Sequence, residues 1–233
     1  MLGKLMGGGD FLPSALRWLR RRSPEDSPLE LSISPAPVTE TSPAPTVASI
    51  ERMPRPVEPL PTAADVDELR AMLEEDVNDA KVRWQLGLAL VAARKLNLAL
   101  AHLEVAAAQD ASLDDGELAD VRELQKAERL VRRYPRDSEL RLTLGRLYLA
   151  LDQGDAALAE LEEAARLNPD LAPAHTLLGF EYAYRGRISR AKEHWGRARD
   201  LDPADEMSRQ GLAAIDDGKD PLRAIWQQAG AST

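Results

Sequence analysis

The sequence predicts an all-α fold, a solenoid of helical hairpins closed by capping helices and carried behind an extended N-terminal arm. Three observations lead there. First, Leu144, Gly145, Tyr148, Ala157, Leu161, Ala164 and Pro169 recur at a constant offset of 34 as Leu178, Gly179, Tyr182, Ala191, Trp195, Ala198 and Pro203, and a fixed period of this size marks a repeat architecture. Second, the apolar residues are mostly Ala and Leu, and aromatics make up only 4% of the chain, a balance that favours helix over strand. Third, ten of the sixteen prolines fall within residues 23–63, where they separate one end of the chain from the rest.

The elements follow in order. Residues 1–22 carry five basic residues against Asp10, a balance of +4. Within them, "FLPSALRWLRRR" at 11–22 predicts a short amphipathic helix with Asp10 as cap, Pro13 in the first turn and an apolar stripe of Leu12, Ala15, Leu16 and Leu19 beside Trp18. Three readings of this segment stand: a disordered tail, a ligand helix for a groove in this or another protein, or an attachment to a membrane surface. Residues 23–63 interleave Pro with Ser, Thr, Ala and Val without periodicity and predict a disordered linker. Residues 64–217 form the predicted repeat domain. Residues 218–233 add a short helix and tail in which Leu222, Ile225 and Trp226 either fold back on the last repeat, the commoner outcome for such a helix, or are presented to a partner.

Within the domain, "ADVDELRAMLEED" at 64–76 predicts a front cap, with Asp65 and Glu68 as its capping box. A first, weaker unit starts near Ala80, with Leu86, Gly87, Leu90, Ala99, Leu103 and Ala106 on the repeated positions. Its Gly87 precedes Gly145 by less than two periods, too little for a second full unit between them, and Leu118, Val121, Leu124, Ala127 and Val131 instead predict one long helix there. Hairpins are expected at 138–151 with 155–167 and at 172–185 with 189–200. The Gly and the two Ala are small where the first and second helices of each hairpin cross, and Leu, Tyr and the large residue at 161 or 195 fill the space around that contact. Gly154 and Gly186 are placed in the hairpin turns, where positive φ is cheap. A closing helix at 205–216 would carry Leu212 and Ala213 on the Leu-Gly positions.

With these residues in view, the chain resembles the tetratricopeptide-repeat (TPR) family over most of 80–203. The resemblance implies a concave groove, lined by the first helix of each hairpin, that holds a segment of a partner protein. Its groove positions fall on Lys81, Trp84, Leu88 and Val91, on Leu142, Arg146 and Leu149, and on Thr176, Phe180 and Tyr184. For Trp84, groove exposure and packing between repeats both remain open; for Phe180 and Tyr184, exposure is the expectation. The family's carboxylate-clamp variant needs Asn residues that Leu88 and Phe180 replace.

Chemistry of other kinds is not signalled. The absence of Cys removes disulfides and thiolate metal sites, "MGGGDF" lacks the ending of a phosphate loop, and His102, His175 and His194 have no ligand spacing and read as surface residues. A net charge of -9 argues against nucleic acid as a partner. No cofactor or small-molecule substrate is expected. The function expected is a non-enzymatic, cytoplasmic adaptor or assembly factor, peripheral to a membrane if residues 1–22 bind one, with a client-shielding chaperone as the alternative.

Overall fold

A computed structural model of the chain describes residues 61–114 and 116–225. The expected arm at 1–22, nearly all of the linker and Trp226 lie outside the described residues. A 3-10 turn, Ala63–Asp65, leads into α1 (Val66–Glu75). There follow α2 (Ala80–Ala92), α3 (Leu96–Gln109), α4 (Glu117–Arg133), α5 (Ser138–Ala150), α6 (Gly154–Leu167), α7 (Ala172–Tyr184), α8 (Ile188–Leu201) and α9 (Glu206–Asp216). Residues 221–225 are again helical. The first residues of α5, α7 and α9 are one period apart, as are those of α6 and α8, so the period read in the sequence is the period of the fold.

Three hairpins pack tightly, α2 on α3, α5 on α6 and α7 on α8. Glycine is required at each crossing. A Cβ on Gly87 would stand 2.6 Å from Leu103 Cγ, and one on Gly145 would stand 2.7 Å from Leu161 Cγ. A Cβ on Gly179 would lie 2.5 Å from Trp195 Nε1. The alanines that share this contact, from Ala99 to Ala198, are fully buried.

Local chemistry starts and stops these helices in register. The Asp79 carboxylate accepts from Val82 N at 2.9 Å, and Asp137 accepts from Glu139 N and Leu140 N, filling orphan donors of the first turn. At the hairpin turns the amides of Lys95, Gln153 and Arg187 reach back to the carbonyls of Leu90, Tyr148 and Tyr182 at 2.8–2.9 Å, a helix-ending motif that needs one left-handed residue. That residue is Arg94 (φ 61°), Asp152 (φ 55°) or Gly186 (φ 71°). The expectation for Gly186 holds and that for Gly154 does not: Gly154 is the first residue of α6, and Asp152 takes the strained position two residues earlier.

The short interval between Gly87 and Gly145 resolves into a missing helix. The end of α4 at Arg133 lies one period before that of α6 at Leu167, which lies one period before that of α8 at Leu201, so α4 occupies the second-helix register without a first helix of its own. It is accepted as such by α5. Tyr148 Oη donates to Glu128 on α4 at 2.8 Å, and one period on Tyr182 donates to Glu162 on α6.

Both ends differ from expectation. The front capping box joins Thr62 and Asp65: Thr62 N and Oγ1 donate to the Asp65 carboxylate at 2.6 and 2.8 Å, so Asp65 is turned away from α1 and Glu68 has no part in it. At the back, Ala213 is exposed. Gly211 replaces it as the small residue of α9, packed against the six-membered ring of Trp195. Leu222 and Ile225 fold back into the core as expected.

Candidate protein-binding groove

The first helices of the hairpins, α2, α5 and α7, carry every expected groove residue, but most of those residues are not free surface. Trp84, Leu88, Val91, Leu142, Leu149 and Phe180 are buried, Phe180 completely. For Phe180 this corrects the expectation of exposure, and for Trp84 it selects packing. A first helix in a solenoid meets its own hairpin partner and the helices before and after it, so only a narrow face stays open. Lys81 is exposed, and Arg146, Thr176 and Tyr184 are half-buried.

Two clefts lie along this layer. One, about 200 Å³, is lined by Arg146 of α5, by Pro173, Thr176 and Leu177 of α7, by Asp202 at the end of α8, and by Asp205 and Met207 at the start of α9. The other, about 130 Å³, places Leu88 and Val91 beside Pro61, Thr62 and the α5–α6 turn. Both fall below the roughly 300–1,000 Å³ usual for small-molecule sites and suit single side chains of a protein ligand. The larger brings Arg146 and Thr176 together; Tyr184 and Lys81 line neither.

The sequence reading missed Asp202, Asp205 and Met207. A signal existed for Asp205, which stands two periods after the capping Asp137. Its carboxylate makes no cap hydrogen bond and instead accepts from Thr176 Oγ1 at 2.7 Å, fixing the cleft's wall. Thr176 Oγ1 also reaches the Ala172 carbonyl at 3.1 Å, and its own carbonyl accepts from Trp195 Nε1. Burial works against the Arg146 charge while Glu139 supports it. The cleft thus presents a cation, two carboxylates and the Met207 thioether around an apolar floor.

The histidines also differ from the reading as surface residues. His175 is buried, its Nε2 is 3.1 Å from the Pro169 carbonyl, and its Nδ1 is 3.0 Å from Nδ1 of the half-buried His194. A carbonyl only accepts, so His175 Nε2 carries a proton, its neutral Nδ1 accepts, and His194 Nδ1 donates. His194 also stacks on Tyr182, ring centroids 5.3 Å apart. Burial lowers both pKa values; nearby Arg197 and Asp170 act on His175 in opposite senses, and the His175 ring further lowers His194. His102 is held low by burial and by Arg83 and Arg70. These are hairpin contacts. Among the described residues no cluster of three or more His, Cys, Asp or Glu is arranged to hold a metal ion, and no helix is long and apolar enough to cross a membrane.

The family-model comparison agrees with the helical repeat. Residues 112–179, from the turn before α4 into α7, match the tetratricopeptide-repeat family model. No curated protein matches. Among solved structures, MamA is 22% identical, with 70% of this chain and 84% of that chain covered and a TM-score of 0.34. YrrB, described as a TPR protein with an unusual peptide-binding site, is 23% identical over 62% of this chain and 83% of that chain, TM-score 0.34. TTC0263, a TPR protein of Thermus thermophilus, is 23% identical over 71% of this chain and 80% of that chain, TM-score 0.37. A chain that repeats seven positions at one fixed interval and folds them as hairpins in that register is similar to the tetratricopeptide-repeat family over residues 112–179, where it meets the family model.

Proposed function

We propose that the protein is a non-enzymatic adaptor or assembly factor whose first-helix layer binds an apolar or amphipathic segment of a partner protein. The observation that carries this reading is the cleft between α5, α7 and α9, where Arg146, Thr176, Asp205 and Met207 surround an apolar floor of side-chain size. A ligand helix would seat an apolar residue against Leu177 and Met207 and set polar groups on Arg146 and the two carboxylates. Lys81 and Tyr184 extend the contact along the layer, and the buried groove positions support it from behind. The protein acts in the cytoplasm, where residues 1–22, with the apolar Leu12, Leu16 and Leu19 and the neighbouring Trp18, engage a second partner or a membrane surface. No nucleic acid, cofactor or small-molecule substrate is assigned.

The test is selection of a displayed library of helical peptides on the full chain. Selected peptides should share an apolar anchor with flanking charge and should lose binding to Met207→Glu and Arg146→Glu variants that keep their helical circular dichroism. Peptides that bind both variants as tightly as the unaltered chain would refute the assignment of this cleft.

A further inference from the structure

The outer face of α3 is unlike that of its counterparts. Leu98, Ala101, Val105 and Ala108 are all exposed, Leu98 to 50% and Val105 to 44%. In register, the same four positions of α8 are Arg190, Glu193, Arg197 and Asp200, and those of α6 are Ala156, Ala159, Glu163 and Arg166. The solenoid therefore tolerates charge at these positions, and the apolar residues on α3 are not demanded by the fold.

The spacing of the four residues, three then four then three, is that of the contact seam in a two-helix coiled coil. Large and small residues alternate along it. If two copies of α3 meet antiparallel about a two-fold axis at residue 103, Leu98 of one faces Ala108 of the other and Val105 faces Ala101, so each large side chain enters a space left by a methyl group. The ends also match, since exposed Lys95 at the start of one helix falls beside exposed Asp110 at the end of the other. Glu104, on the flank of the seam, is already held by Arg122 of α4 at 2.8 Å and does not oppose the approach.

We infer that the outer face of α3 is a homodimer surface, on which a second copy of this chain packs its own α3 antiparallel. Two helices of 14 residues meet over roughly 21 Å, which places the contact at the lower end of specific interfaces and makes the dimer weak, with a Kd of about micromolar order. The surface is separate from the cleft between α5, α7 and α9, so groove binding and dimerisation do not require each other.

Sedimentation equilibrium of the full chain from about 1 to 100 µM decides it. The weight-average mass should rise from 25.6 kDa toward twice that value. Leu98→Arg and Val105→Glu each place on α3 a kind of residue that α8 or α6 already carries on this face, so both should keep the melting curve and raise the dissociation constant about a hundredfold. Orientation is tested by disulfide trapping, for which the chain has no native cysteine to interfere. A mixture of Ala101→Cys and Val105→Cys chains should cross-link one type to the other in preference to like with like. A chain that stays monomeric throughout, variants that dimerise unchanged, or like-with-like cross-links in excess would each overturn the inference.

Discussion

Trp195 is clamped between two glycines, and replacing one of them tests the packing of the whole third hairpin. The ring is fully buried. On one side a Cβ at Gly179 would lie 2.5 Å from Nε1 and 2.7 Å from Cγ; on the other, a Cβ at Gly211 would lie 2.5 Å from Cζ3. The ring cannot retreat from Gly179 without pressing on α9, nor rotate without losing its hydrogen bond to the Thr176 carbonyl. In Gly179→Ala, overpacking costs about 1–3 kcal/mol and loss of a buried hydrogen bond a further ~1–3 kcal/mol, against a gain of about 1 kcal/mol in helix propensity. The net is a loss of about 3 kcal/mol, or a fall in Tm of about 6–12 °C for a domain of this size. Gly196→Ala on α8 is the control, because nothing lies within 4 Å of its added Cβ; it should gain up to about 1 kcal/mol from propensity alone. Both are read by thermal and urea melts followed by helical circular dichroism. An unchanged or raised Tm for Gly179→Ala would refute the clamp, and Leu at Gly145 or Gly179 should unfold the repeat region.

Other perturbations test other contacts. Phe180→Ala should cost about 3–5 kcal/mol as a buried deletion, so Phe180→Ala with Tyr184→Ala should lose stability in a urea melt before it reports on binding; a double variant as stable as the unaltered chain would return Phe180 to the surface. His175 and His194 have pKa values below the usual 6.5, so the unfolded chain takes up protons first as pH falls, and the stability these rings contribute above pH 6.5 is lost progressively below it. Urea midpoints measured from about pH 7.5 to 5 should decline, and the decline should flatten in His175→Gln; an equal slope in that variant would exclude the pair as its source. Tyr148 is pushed well above the usual phenol value by burial and by its bond to Glu128, so its contribution to stability persists to about pH 10 and fades above it. Tyr148→Phe should lower stability by about 1 kcal/mol in a denaturant melt and leave it less sensitive to alkali; unchanged alkaline sensitivity would refute the assignment.

Most of the hairpin architecture was legible because it depends on steric size repeated in a fixed register. Gly87, Gly145 and Gly179, with a large residue sixteen positions on, can hardly mean anything other than a close crossing, and observed helix ends fall within a residue or so of those expected for the last two hairpins. The turn residues were less visible. Arg94 and Asp152 hold positive φ because the helix-ending hydrogen bonds around them impose it; Asp tolerates that conformation better than most residues, and nothing in the Arg94 side chain announces it. The histidine pair shows a contact that the period would have exposed. His175 and His194 are equivalent to Arg141 and Glu160, an ion pair at 2.6 Å, and to Arg83 and His102 in the first hairpin. The leading member of each pair donates to the carbonyl six residues earlier, Val77, Pro135 or Pro169. Opposite charge at one pair of positions and two imidazoles at the next look unrelated until the helices are overlaid. The groove was the hardest to read, since the repeat pattern says which helix lines it but not how far neighbouring helices close over Phe180 or Leu142.

The helix missing before α4 has a mechanical meaning. A repeat array behaves as a chain of units joined by nearest-neighbour bonds, and its weakest bond sets where it breaks. Everywhere else a first helix interleaves between two second helices, whereas α3 and α4 meet directly, held at their edges by Asn97 with Gln125 and Glu104 with Arg122, polar pairs that solvent can reach, and by Arg94 of the preceding turn with the mostly buried Glu128. Pulled from its ends or heated slowly, the array should part at that seam, releasing α1–α3 as one block while α4–α9, with two complete hairpins and both glycine clasps on Trp195, stays closed.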